Sequence, residues 1–181
     1  MKSAPGRDTR PAYSTQRRTW YGYGSLGRVE KSGFGRFLHD ATYIFGDVSV
    51  VALPSLFAIM AAEPAEGYAL TGGALVVWMT MWLVGTVIRG GWIAPFRTDT
   101  LGWVSLRPSM LALRLVYYNA VVLIGAYGGA AVVDAVGAWY AWLIVASAFA
   151  AIATMCFPRT AESVARYLDD RRDRPSRIAN S

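Results

Sequence analysis

One cysteine and one histidine in 181 residues leave little room for several kinds of chemistry. Cys156 alone closes no intramolecular disulfide, and together with His39 it falls short of the four ligands of a structural zinc site. The sequence contains no GxSxG, HExxH, GxxxxGK[ST] or CxxC. Serine hydrolases, zinc proteases, nucleotide-driven machines and thiol redox enzymes therefore lack a foothold. Charged residues make up only 17% of the chain against 54% hydrophobic, an imbalance unusual for a soluble domain. Lysine and arginine are also absent from two particular places, residues 63–67 and 134–138.

The apolar residues come in four blocks, 41–62, 69–88, 109–133 and 139–157. A membrane helix needs about 20 such residues to cross about 30 Å of hydrocarbon. The chain is therefore expected to be an all-α integral membrane protein with four transmembrane helices. Residues 1–36 read as a basic, mostly disordered cytoplasmic tail, 37–158 as the membrane domain, and 159–181 as a cytoplasmic amphipathic helix with a basic end. In that last region Pro158 is expected to end the fourth span or open the next helix, with Thr160 as N-cap of a short amphipathic helix. There Ala161, Val164, Ala165 and Leu168 recur at helical spacing. The first apolar run begins near Ala41 and has full span length, so it reads as a span and not as a cleaved leader.

A net charge of +6 and a pI near 9.7 fit nucleic acid in principle. Their distribution points to topology instead. All 18 basic residues lie in the two tails, in the second connection and its flanks, or at Arg114. With two Lys/Arg-free connections alternating with basic segments, both termini are expected in the cytoplasm of a cell-membrane protein. The partners expected are the lipid bilayer, anionic headgroups at the cytoplasmic face, and a homo-oligomer or larger membrane complex, with nucleic acid disfavoured.

Two motif matches invite chemistry. Residues 22–27 spell GxGxxG, but no strand precedes it and no βαβ unit can follow so close to a span, so it reads as a glycine-rich juxtamembrane segment. Residues 169–173 spell DDxxD, the pattern in which carboxylates share a hard cation with a diphosphate. Flanked by arginines in a tail, it reads as a solvated helix end. No cofactor and no metal is expected.

The residues that stand out lie in the spans. Asp47 and Arg114 sit at nearly equal depth from the same side, about 8–9 Å into their helices. An ionisable residue in a membrane marks function by default, with structural pairing or snorkelling of Arg114 to lipid phosphate as the alternatives. Gly125 and Gly129 form a GxxxG, and Ala146 and Ala150 a small-xxx-small pair, both suited to close helix packing. Gly128 and Val132 are expected on the GxxxG face. Pro54 is expected to kink the first span, on a face shared with Tyr43, Val51, Ala58, Ala61 and Ala62. The second span reads as a packing and lipid-facing helix. Trp92, Arg97 and Trp103 mark the second connection as lying along the inner interface, with Arg89, Arg97 and Arg107 towards lipid phosphates and an Asx-type turn at Asp99. Tyr117, Tyr118 and Tyr127 read as core or interface residues, a quinone or lipid pocket being the other reading. The function expected is a non-enzymatic structural or accessory subunit. A small homo-oligomeric transporter using Asp47 and Arg114 comes second, and an enzyme on lipid or prenyl substrates third.

Overall fold

The computed structural model describes residues 33–62, 69–98, 108–138 and 140–178, except for the side chains at 33, 36, 69 and 169–178. They form four α-helices, α1 (Gly33–Ala62), α2 (Ala69–Gly90), α3 (Pro108–Val136) and α4 (Ala141–Ile178), with no strand among the described residues. All four are long and apolar enough to cross a membrane, the composition of a multi-pass membrane protein.

Local chemistry sets several boundaries. Pro108 opens α3, where a missing N–H costs nothing and its fixed φ suits the first turn. Gly91, at φ 78°, ends α2: its N–H bonds Ile88 O, and the N–H of Trp92 bonds Val87 O, the paired closure of a Schellman cap. Gly137, at φ 72°, ends α3 through one bond to Val133 O.

Two boundaries differ from those the sequence suggests. α1 begins at Gly33, so residues 33–36 of the expected tail are helical. α4 does not stop at Pro158 but runs on to Ile178, and the separate amphipathic helix expected there is its continuation. Thr160 is accordingly no N-cap; its hydroxyl bonds Cys156 O inside the helix. Proline removes a donor and strains the turn behind it. Here Met155 O, three residues before Pro158, accepts the N–H of Phe96 from the loop after α2 at 3.2 Å. An outside donor thus reaches the turn behind the proline, and the helix continues through it.

The starts of α1 and α3 and the ends of α2 and α4 gather at one end of the bundle, as contacts of Trp82 Nε1 with Ala41 O and of Tyr117 with Phe157 require. This is the basic end. α2 and α3 pack on each other and each on both α1 and α4, while α1 and α4 do not meet among the described residues. The second span is thus central alongside the third. The core is built from Ile44, Val48, Ala52 and Ile59 of α1, Val77 and Met81 of α2, Tyr118 and Val122 of α3, and Ala146, Ala150 and Phe157 of α4. On α1 the buried stripe runs through positions 48, 52, 55 and 59. Pro54, Ala58, Ala61 and Ala62, read from the sequence as sharing one face with Asp47, are exposed. Small residues mark packing faces only where a neighbouring helix passes, and among the described residues none passes there.

Candidate functional site

Two carboxylates stand two turns apart on α1, and each meets an arginine from a different helix. Arg114 of α3 donates to Asp47 Oδ1 at 2.6 Å, and the Tyr118 hydroxyl, one turn along α3, donates to Oδ2 at 3.4 Å. Arg114 is only 4% exposed, while 15% of the Asp47 side chain remains accessible. The structure thus brings together the two residues whose depths the sequence matched.

Sequence reasoning missed the second pair. Arg89 Nε, in the last turn of α2, donates to Asp40 Oδ1 at 3.1 Å, and its guanidinium lies 3.9 Å from the Tyr43 ring centre. Asp40 is 1% exposed and Arg89 8%. Arg89 was expected to face lipid phosphate; it turns inward because a buried carboxylate attracts it with far less screening than a hydrated headgroup does. The signal was available. Asp40 and Asp47 are seven residues apart, so an inward Asp47 places Asp40 on the same face. The two pairs bring equal charge of each sign, so they add no net charge to the bundle interior.

Asn119 also went unnoticed in the sequence. Its Nδ2 donates to Val51 O at 2.8 Å and to Leu115 O at 2.7 Å, and its Oδ1 accepts the N–H of Ser55 at 2.7 Å. Val51 O and Ser55 N–H are the two ends of one i→i−4 position, and Pro54 sits between them. The side-chain amide therefore bridges the α1 ladder where the proline disturbs it. Pro54 and Pro158 each have an outside donor on the carbonyl three residues earlier.

Away from the basic end, close approach replaces polar contact. A Cβ on Gly125 would come within 2.6 Å of Val77 Cγ2 and 3.4 Å of Phe149 Cδ1. At Gly129 it would meet Trp142 Cβ at 3.5 Å and Ala146 Cβ at 3.6 Å, ordinary contact distances. A Cβ on Gly73 of α2 would meet Ala126 Cα at 3.4 Å. Ala146 and Ala150 of α4 are fully buried against this face. Gly125 and Gly129 thus serve contacts within one chain, to α2 and α4. Gly128 is exposed with open space beside it, and Val132 is half-buried.

The connection after α2 folds onto the basic end. The Trp92 ring lies across Gly90, where a Cβ would fall within 2.1 Å of it, and sits 5.6 Å from Phe37. Trp92 and Arg97 are exposed, and Trp103, Arg107 and Asp99 lie outside the described residues. Tyr118 is buried against Phe157; Tyr117 bonds Ala153 O at 2.8 Å; Tyr127 is exposed. His39 is exposed on α1, and Cys156 is half-buried. Residues 22–27 lie outside the described residues, as do the side chains of 169–173. Among the described residues no three of His, Cys, Asp and Glu are placed to hold a metal ion.

No curated protein and no solved structure matches this chain. A domain of unknown function, DUF8215, matches residues 31–164, which takes in all four apolar stretches, both ion pairs and Asn119. The chain belongs to that family.

Proposed function

We propose that this protein is a non-enzymatic structural or accessory subunit of the cell membrane, packing against further copies of itself or against a larger membrane complex. The observation that carries the reading is the internal pairing of charge. Asp40 meets Arg89, and Asp47 meets Arg114 and Tyr118, so the ionisable groups buried in the bundle serve to fix which helices pack. A carrier needs such groups to exchange partners with water or cargo, and an enzyme needs them facing substrate. Purification from the native host in mild detergent tests it. A defined co-purifying protein, or a stable homo-oligomer, is expected; a monomer without a partner contradicts it.

The orientation proposed places both termini in the cytoplasm, supported by the absence of Lys/Arg from residues 63–67 and 134–138. With Cys156 replaced by Ser, single cysteines at Gly67 and Ala135 should react with an impermeant maleimide in intact cells. One at Ser176 should react only after lysis. The reverse pattern refutes the orientation.

A second reading, a small homo-oligomeric transporter or channel, draws on the exposed 15% of the Asp47 side chain. Its signature is a double variant, Asp47→Asn with Arg114→Gln, that folds like the wild type yet loses a cellular phenotype.

A further inference from the structure

The loop after α2 is latched to α4 at two points. The Phe96 N–H bonds Met155 O at 3.2 Å, and the Thr98 hydroxyl donates to Glu162 Oε2 at 2.7 Å. Between these latches stands Arg97, exposed and at φ 53°, a backbone conformation that glycine or asparagine adopts more readily. The latches straddle Arg159, since Met155 lies one turn before it and Glu162 three residues after. The loop therefore carries Arg97 past the stretch of α4 that holds Arg159. Among the described residues Arg97 meets no carboxylate. Arg159 reaches Glu162 only at 3.5 Å with half its side chain exposed, and Glu162 is already held by Thr98 and Arg166.

Depth says what these guanidiniums face. From Ala141 to Arg159 a helix rises about 27 Å, close to the hydrocarbon thickness of about 30 Å. Arg159 thus stands at the level of the phosphates if Ala141 begins at the opposite boundary. The same loop exposes Trp92, Ile93 and Phe96, apolar side chains suited to the upper acyl region. A guanidinium presents a planar fork that matches two phosphate oxygens.

We propose that Arg97 and Arg159 form a binding site for the phosphate of an anionic phospholipid, with Trp92, Ile93 and Phe96 seated beside its acyl chains. Thr98 and Glu162 are positioning residues, holding the loop against α4. The site stands whether the bundle is an accessory subunit or a transporter, because it lies outside the ion-paired interior.

The test uses full-length protein in nanodiscs of phosphatidylcholine with and without phosphatidylglycerol, read by thermal unfolding and by native mass spectrometry of retained lipid. Phosphatidylglycerol should raise the unfolding temperature of the wild type and be retained on it. Arg97→Gln and Arg159→Gln should each weaken retention about tenfold or more, the loss of a charge-assisted hydrogen bond to the phosphate. Both should leave unfolding in phosphatidylcholine unchanged. Arg166→Gln removes the same charge about 10 Å further along α4 and should change retention by no more than about fivefold, the extent of diffuse attraction. If Arg166→Gln matches Arg97→Gln, the attraction is diffuse and there is no site. Undiminished retention by Arg97→Gln overturns the proposal too, and this variant decides the matter should Arg159→Gln prove unstable. Stabilisation of the detergent-solubilised wild type by inorganic phosphate, equal to that by phosphatidylglycerol, would make it a free-anion site and overturn the lipid assignment.

Discussion

The two halves of this bundle are held together by different means. Towards the basic end, helices meet through directed contacts: Asp40 with Arg89, Asp47 with Arg114 and Tyr118, Asn119 with the α1 ladder, Tyr117 with Ala153 O. Towards the other end they meet through nearness, with Gly73, Gly125, Gly129, Ala146 and Ala150 letting backbones and methyl groups touch. Lipid removes the hydrophobic drive between helices, so dispersion and polar bonds must do the joining. The comparison teaches that they do different jobs. Polar contacts specify which helix meets which and at what register, because an orphaned charge is penalised. Close contacts add adhesion wherever surfaces are smooth enough.

The strongest way to break this contrast is to strand a charge. Asp47→Asn, or Arg114→Gln, should each cost about 3–5 kcal/mol by leaving its partner buried alone. The double variant should recover much of that, with a coupling above about 1 kcal/mol, measured by unfolding in detergent. Additive losses would mean the two charges do not depend on one another in the membrane. Asp40→Asn with Arg89→Gln should behave alike.

In the other half the largest effect should come from Gly125→Leu. Its Cβ has no room against Val77, so about 3 kcal/mol is expected from overpacking. Gly129→Ala, whose methyl would meet Trp142 and Ala146 at ordinary distances, should change stability by less than about 0.5 kcal/mol. Equal effects at the two glycines would contradict the close-approach account of this half.

Asn119→Ala should cost about 2 kcal/mol by leaving Ser55 N–H and Val51 O without their bridge. In a Pro54→Ala background the loss should shrink, because the local ladder can then close by itself. An unchanged loss would show that Asn119 acts without reference to the proline. Among the polar contacts the smallest effect, about 1 kcal/mol, is expected for Tyr117→Phe, which deletes the bond to Ala153 O and keeps the ring on Phe157.

Much of this was legible in the sequence, and the gaps have physical causes. Span number follows from apolar length because nothing else buries its backbone in lipid. Asp47 and Arg114 could be matched by counting depth, since two helices running the same way rise equally per residue. Arg89 could not be matched so simply: near a helix end a long side chain reaches either inward or to the interface, and only the neighbouring helix decides. Asn119 leaves no local trace, for its role depends on Pro54, which lies far away in sequence. Pro158 misled because proline is a break only where the carbonyls behind it go unsupported, and the donor from Phe96 arrives across a loop. The exposed Ala58 and Ala61 show that small size alone does not point inward.

The absence of contact between α1 and α4 bears on how the chain is made. α1 is synthesised first and carries both buried carboxylates, yet Arg89 arrives only with the end of α2, and Arg114 only with the start of α3. Until then each carboxylate that meets lipid costs about 3 kcal/mol on insertion scales. α1 cannot settle alone, whereas α4 owes it nothing. A ribosome paused after α2 leaves Asp47 without its arginine, which lies on α3. A chain released after α3 already holds both pairs.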